Sequence, residues 1–322
     1  MDTNSRAVAI GVDVGGTKIA GAIVDTKGQI YSPLRIETPR ATADDVIAAL
    51  ERTIERLLEA IPETSEVIGI GLAVAGTVNW KEGMIIQSPN LPFSNIKLRG
   101  IIESKLGLTT FMDNDANLAT LAEKHYGVAQ SAQDFVGLTL GTGIGSGIVY
   151  NGCLYRGATG AAAEIGHMVI EATGPQDSCG SYGCLEVMAS GRTLVRLAKD
   201  AAESDKESLL LKLAQGDPQN ITGPMITEVA HQGDKSALQV FREIGFWLGI
   251  GINNVVNIFN PELVIIGGGM AEAGELILAP ARKVVAERAL HPNKDVAKIV
   301  LADLGNQAGV MGAAALVFSE LK

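Results

Sequence analysis

Glycines recur in two patterns 126 residues apart. Gly11, Gly15 and Gly21 in GVDVGGTKIAG correspond to Gly137, Gly141 and Gly147 in GLTLGTGIGSG, with apolar, strand-forming residues between them in both copies. Each copy reads as strand, glycine turn, strand. Two such units in one chain predict two lobes of the same basic fold facing each other across a cleft. No low-complexity segment or long linker interrupts the sequence, so the hinges should be short. Size agrees with this division: 322 residues, 47% of them hydrophobic, exceed the roughly 250 residues at which single cores tend to split.

Strand and helix signals alternate, giving α/β texture. Residues 8–14, 19–24 and 67–74 are short β-rich runs, and Thr42 with Asp45 forms a capping box before a helix carrying Val46, Leu50, Ile54, Leu57 and Leu58. Beyond residue 190 helical patterns dominate, over 194–202, 207–214 and 237–259, until Asn260-Pro261 stops the last one. A final buried run then enters Gly267-Gly268-Gly269. The expected division is a small lobe over 1–115, a large lobe over 116–305, and a terminal helix over 306–322 returning to the small lobe.

A net charge of −10 without clustered Lys or Arg excludes an electrostatic footprint for nucleic acid. The N-terminal residues lack the pattern of a signal peptide, and no apolar run approaches the ~18 residues of a membrane span. A cytoplasmic protein is expected. Three cysteines in a reducing compartment fit metal binding better than a disulfide framework, with Cys153 assigned a structural role.

A glycine turn exposes backbone N–H groups with no side chain in the way, forming a nest for phosphate oxygens. Gly15-Gly16-Thr17-Lys18 and Gly141-Thr142-Gly143 are the two candidates, each with a threonine hydroxyl as an added donor. Neither is a Walker loop, and no G-x-G-x-x-G opens the chain, which disfavours P-loop and Rossmann readings. Asp13, just ahead of the first turn, is placed to hold Mg²⁺ through water or, more simply, to cap that turn. Asp113-Asn114-Asp115-Ala116-Asn117 follows an apolar stretch and precedes a helical one over 118–126. The segment reads as a loop supplying a general base for phosphoryl transfer, or as plain N-capping.

Residues 164–186, EIGHMVIEATGPQDSCGSYGCLE, set His167, Asp177, Cys179 and Cys184 at relative offsets of 0, 10, 12 and 17. A loop closed over one ion would supply nitrogen, carboxylate and two thiolates to a tetrahedral site. Glu164 and Glu186 flank the set. Asn, Glu and His are also the side chains that match the fixed hydroxyl directions of a sugar.

Four motifs in order, DVGGTK, the DNDAN segment, LGTGIG with EIGH, and the C-G-x-x-G-C-x-E end, make the chain resemble the ROK family of sugar kinases and repressors. The resemblance implies a two-lobed actin/hexokinase-like fold, a duplicated ribonuclease H-like α/β architecture. It implies an ATP-dependent hexose kinase of glucokinase type using Mg²⁺ and a structural Zn²⁺. Asp115 would take the proton from the sugar 6-hydroxyl, with Asn114 on a neighbouring hydroxyl. Glu164, His167 and Glu186 would contact the sugar near its anomeric side, Gly76 and Asn90 its other side, and Gly267 to Gly269 the adenosine. Where the family has its first zinc cysteine this chain has Asp177, a harder ligand. Polyphosphate-using relatives tend to lack the zinc segment, and the repressors' DNA-binding extension has no room before Asp13. A homodimer or homotetramer is implied. The competing readings are an N-acetylmannosamine or N-acetylglucosamine kinase, a non-catalytic sugar sensor and an actin-like scaffold.

Overall fold

The computed structural model describes residues 6–205 and 208–321. Early in the chain come β1 (Arg6–Val14), β2 (Lys18–Asp25), β3 (Ile30–Glu37), β4 (Ser65–Val74), β5 (Thr77–Asn79), β6 (Met84–Gln87), β7 (Ser94–Ile96) and β8 (Thr110–Asn114). The first sheet has the order β3-β2-β1-β4-β8. Tight turns make β1, β2 and β3 antiparallel, whereas β4 and β8 run parallel to β1. Strands β5, β6 and β7 form a small antiparallel sheet of their own.

Later strands repeat the scheme. With β9 (Phe135–Leu140), β10 (Ile144–Tyr150), β11 (Cys153–Leu154), β12 (Leu263–Gly267) and β13 (Lys298–Leu301), the second sheet has the order β11-β10-β9-β12-β13. Here β11 is antiparallel to β10, while β12 is parallel to β9 and β13 to β12. Ranked by chain position, both sheets read third, second, first, fourth, fifth. This is the duplicated arrangement of the actin/hexokinase-like fold. The glycine echo falls on matching strands, Gly11 in β1 with Gly137 in β9, and Gly21 in β2 with Gly147 in β10. Cys153 is exposed on the edge strand β11, so the structural role expected for it is not one of core burial.

A parallel strand needs a crossover, and α1 (Ala43–Glu59) supplies it between β3 and β4. Thr42 caps its N-terminus, with Oγ1 accepting from the Asp45 N–H at 3.1 Å and donating to Asp45 Oδ2 at 2.6 Å. Val46, Leu50, Ile54 and Leu57 are buried in a core with Val8, Ile10, Val12 and Leu98, the last from α2 (Leu98–Leu106). Because side chains alternate along a strand, Ala9 faces the other way. There it meets Val310, Ala314 and Val317 of the terminal helix.

The remaining helices are α3 (Asp115–His125), α4 (Leu185–Ala189), α5 (Gly191–Ser204), α6 (Leu209–Leu213), α7 (Gly223–His231), α8 (Lys235–Phe259), α9 (Glu275–Arg288), α10 (Asn293–Val296) and α11 (Ala308–Glu320). Asn260 ends α8 in the left-handed conformation, φ 45°. The helix expected over 207–214 starts at Leu209, and residue 207 lies outside the described residues. Helix α11 lies very close to its sheet: a Cβ on Gly11 would sit 2.1 Å from the Val310 carbonyl oxygen, and one on Gly71 1.8 Å from that of Ala313. Glycine at these points lets helix backbone touch strand backbone.

Two compact units result. The first comprises the residues up to Gln133, Gly147–Ala163 and those from Ala302 onward; the second comprises Asp134–Ser146 and Glu164–Leu301. The first takes in the terminal helix and runs past residue 115, the expected end of the small lobe, where Leu118 and Leu121 of α3 are buried against Ala313, Ala315 and Leu316 of α11.

Candidate functional site

In the first unit the parallel strands end together. Asp13 on β1 lies opposite Ala73 on β4, which lies opposite Asp113 on β8, and Gly76 follows the end of β4. Crevices at the carboxyl ends of such strands are where open α/β sheets hold ligands. No loop separates β8 from the next helix: Asn114 is the last strand residue and Asp115 the first of α3, which corrects the loop expected there and a helix start placed three residues too late. The turn is made by Asn114. Its Oδ1 accepts from the N–H groups of Ala116 (2.9 Å) and Asn117 (3.1 Å), and its Nδ2 donates to the Gly76 carbonyl at 3.1 Å. N-capping therefore falls on Asn114, while Asp115 Oδ1 accepts a local bond from the Ala116 N–H at 2.9 Å.

Burial raises the Asp115 pKa above the ordinary carboxylate range, against the pull of the Ala116 and Asp115 N–H groups and Asn114. Asp13 is pushed up to about 6, first by burial and then by the Asp115 charge, with Lys18 opposing. Two buried carboxyls, one of which is raised further by the other's charge, form a site that favours a cation or a donated proton. Nearby, Gly16 approaches Asn90 so closely that a Cβ would sit 2.7 Å from the Asn90 carbonyl oxygen. Gly76 has φ +127°, and a Cβ there would lie 2.4 Å from the Gln87 carbonyl oxygen. The structure thus gathers Asp13, Gly15 to Lys18, Gly76, Asn90, Asn114 and Asp115.

Both glycine turns are closed by their own first residue. The Gly15 N–H donates to the Lys18 carbonyl at 3.0 Å and the Gly141 N–H to that of Gly143 at 2.9 Å. These closures leave Gly16, Thr17, Thr142 and Gly143 as the candidate anion donors of the two turns. In the second unit the turn opens on a cavity of about 830 Å³, lined by Gly141, Thr142, Gly191, Arg192, Gly269 and Met270 with Thr227, Glu228 and His231 of α7. Its volume suits a ligand of nucleotide size. Gly268, at φ +84°, would drive a Cβ to 2.4 Å from the Leu140 carbonyl oxygen, which brings the Gly267–Gly269 segment against the end of β9. Arg192 Nε donates to the Thr142 carbonyl at 3.2 Å and Nη2 to Glu186 Oε1 at 3.0 Å. The other Glu186 oxygen accepts from the Ile144 N–H at 2.7 Å, so Glu186 braces the glycine turn.

The segment after Glu164 folds into a compact knot. Asp177, Cys179 and Cys184 close on His167 so that one ligand atom from each lies within 4.8 Å of every other. The two sulfurs are 3.7 Å apart, near the edge, about 3.8 Å, of a tetrahedron of thiolates around a zinc ion. His167 Nδ1 and Asp177 Oδ2 are 2.8 Å apart. The donors fit zinc. Burial favours a neutral Asp177, yet hydrogen bonds from Cys179, His167, the Ser178 N–H and Cys184 outweigh it and hold the group at about 2. Burial first, then Cys179 and Asp177, pushes the Cys184 thiol up to about 12.

The ROK family profile matches residues 9–320. The chain belongs to the ROK family. A glucokinase from Streptomyces coelicolor is 37% identical over 312 residues, covering 96% of this chain and 97% of the relative. The crystal structure of a ROK family glucokinase from Streptomyces griseus in complex with glucose and AMPPNP is 38% identical with a TM-score of 0.84, over 97% of this chain and 99% of that one. A xylose repressor from Caldicellulosiruptor bescii is 33% identical, over 97% of this chain and 78% of its own length.

Some of the site was missed from sequence. Arg192, Thr227, Glu228 and His231 sit on α5 and α7, far along the chain from the glycine turn, and no local motif marks them. Arg156 was also missed: it pairs with Asp113, Nε to Oδ2 at 2.5 Å. A candidate metal group of three or more His, Cys, Asp and Glu residues occurs at one place among the described residues, the ROK segment at 167–184. No described helix is long and apolar enough to cross a membrane.

Proposed function

We propose that this ROK protein is an ATP-dependent glucokinase that transfers the γ-phosphoryl group to the 6-hydroxyl of glucose in the cytoplasm. Asp115 carries the reading: a buried carboxyl with raised proton affinity, following β8 at the carboxyl ends of β1, β4 and β8, suits a group that takes a proton from a sugar hydroxyl. Asn114, already fixed to Gly76, presents its remaining polarity to a neighbouring sugar hydroxyl. Gly76 and Asn90 of the first unit would line the sugar, and the family resemblance assigns Glu164, His167 and Glu186 of the second unit to sugar contacts as well. The donor's phosphates lie on Gly15 to Lys18 and Gly141 to Gly143, its adenosine in the cavity beside Gly267 to Gly269. Asp13 holds Mg²⁺, which neutralises phosphate charge when bound.

His167, Asp177, Cys179 and Cys184 would hold a zinc ion, which would fix the His167 ring and order the loop proposed to carry sugar contacts. Homodimers or homotetramers without nucleic-acid partners complete the proposal. Relatives favour glucose over N-acetylmannosamine or N-acetylglucosamine: glucokinases align over 97% of their length, and one neighbour of 38% identity holds glucose and AMPPNP. A coupled ADP assay over glucose, mannose, N-acetylglucosamine and N-acetylmannosamine tests the assignment, with glucose expected to give the highest kcat/KM. Replacing Asp115 with Asn is expected to lower kcat by about 10²–10⁴-fold while glucose still binds. Turnover near the parent level in that variant removes Asp115 from the role of base.

A further inference from the structure

Asp113, two residues before the proposed base, is only 1% exposed, and both of its oxygens are engaged. One accepts from the Asn114 N–H at 2.8 Å and from Asn117 Nδ2 at 3.0 Å. The other takes the Arg156 Nε–H at 2.5 Å. Strand end, first helical turn and the segment after β11 are tied together by this one carboxylate. Asp115 lies inside that bracket, between two of the tied residues.

Arg156 is itself held on three sides. Its guanidinium sits 4.4 Å from the centre of the Trp80 ring, and Nη2 donates to Glu320 Oε1 at 3.2 Å. Only 15% of its side chain is exposed. A planar fork that stacks on an aromatic face while bonding two carboxylates has no equivalent in lysine. A purely stabilising ion pair at this depth would be a weak device, because desolvation offsets most of the attraction. What the pair supplies is direction: it fixes the Asp113 carboxylate, and Asp113 fixes the backbone turn that aims Asp115.

We propose that Arg156 is a positioning residue for Asp115, acting through Asp113 and backed by Trp80. This rests on Asp115 being the base. Catalytic geometry tolerates little error, so a loosened bracket costs turnover before it costs binding.

R156K, W80L, E320Q and D115N are compared by kcat, KM, glucose affinity from titration calorimetry, and Tm. R156K is expected to lower kcat by about 10–100-fold with glucose affinity unchanged. W80L keeps both ion pairs and loses only the stacking face, and a smaller kcat loss, again without loss of sugar affinity, is expected. E320Q, which leaves the Asp113 bond intact, should turn over at the parent rate. Guanidinium ion added to R156A should restore part of the lost kcat. Should R156K fail to fold, W80L decides: parental kcat there overturns the proposal. Parental kcat in folded R156K overturns it as well, and so does a fall in kcat matched by an equal fall in glucose affinity. If D115N is inactive while R156K and W80L are parental, only the positioning role fails; if D115N turns over normally, the base assignment fails first.

Discussion

Asp13→Asn should stabilise the protein and disable it. In the folded chain the Asp13 pKa rises from 3.8 to about 6, burial contributing most and Asp115 next. A carboxyl whose folded pKa exceeds its unfolded one holds its proton more tightly when folded, so stability falls as pH rises from about 4 to about 6 and is level above that. A rise of that size corresponds to a penalty of about 3 kcal/mol at neutral pH. Asparagine keeps the shape and carries no charge, so the variant escapes this penalty. At about 2–4 °C per kcal/mol for domains the size of the first unit, Tm at pH 7.5 should rise by several degrees. The gain should vanish at pH 4, where the parent carboxyl is largely protonated in the folded state and costs little. Differential scanning fluorimetry at half-unit pH steps measures the gap, and kinetics at varied Mg²⁺ measure the cost, expected as loss of turnover that extra Mg²⁺ does not recover. A variant whose Tm tracks the parent at every pH would refute the account of Asp13 as a strained carboxylate kept for function.

Other outcomes follow from the same geometry. Elemental analysis should find about one zinc per chain, and Asp177→Cys should raise zinc affinity because a thiolate is the softer ligand. Since the Cys184 thiol is pushed up to about 12, metal uptake must release its proton, and affinity measured by competition with a chelator should fall as pH falls. Gly71→Ala would place a Cβ 1.8 Å from the Ala313 carbonyl oxygen, and urea unfolding should show a loss of about 3 kcal/mol or more. Arg192→Ala frees Glu186 and the Thr142 carbonyl, so the KM for ATP should rise more than the KM for glucose in steady-state assays.

The sequence made the architecture legible because glycine spacing reports backbone constraints directly. Gly11 and Gly21 recur as Gly137 and Gly147 because both sheets repeat the same strand order, and the apolar run at 67–74 could be nothing but a buried strand. The cluster of His167, Asp177, Cys179 and Cys184 was legible for a similar reason: four potential ligands within eighteen residues close on one another over a short loop. Composition could not show the junction at Asn114. Asn and Asp favour loops and helix caps alike, and only the structure reveals that the strand passes straight into α3 with Asn114 as cap. Nor could periodicity show that Arg156 reaches Asp113 across 43 positions, or that Thr227 and His231 of α7 line the same cavity as Gly141. Such contacts depend on tertiary packing, and no local pattern encodes them.

The duplication itself explains a division of labour. At the shared offset Asp13 corresponds to Thr139, Gly16 to Thr142, Thr17 to Gly143 and Lys18 to Ile144. The first copy therefore keeps an ionisable acid and a cation around its turn, and the second is neutral at both places. A neutral turn can offer amides to a phosphate without competing for protons or metal, and its positive charge comes from elsewhere, from Arg192 on α5. The charged turn does the opposite: burial and the Asp115 charge raise the proton affinity of Asp13, with Lys18 opposing. The two matching strand-turn-strand units thus differ in charge, one electrostatically loaded and the other neutral. Transplanting Asp to position 139 should then weaken nucleotide binding through repulsion while leaving glucose affinity unchanged, and equal loss of both would show that the second turn is not reserved for the donor.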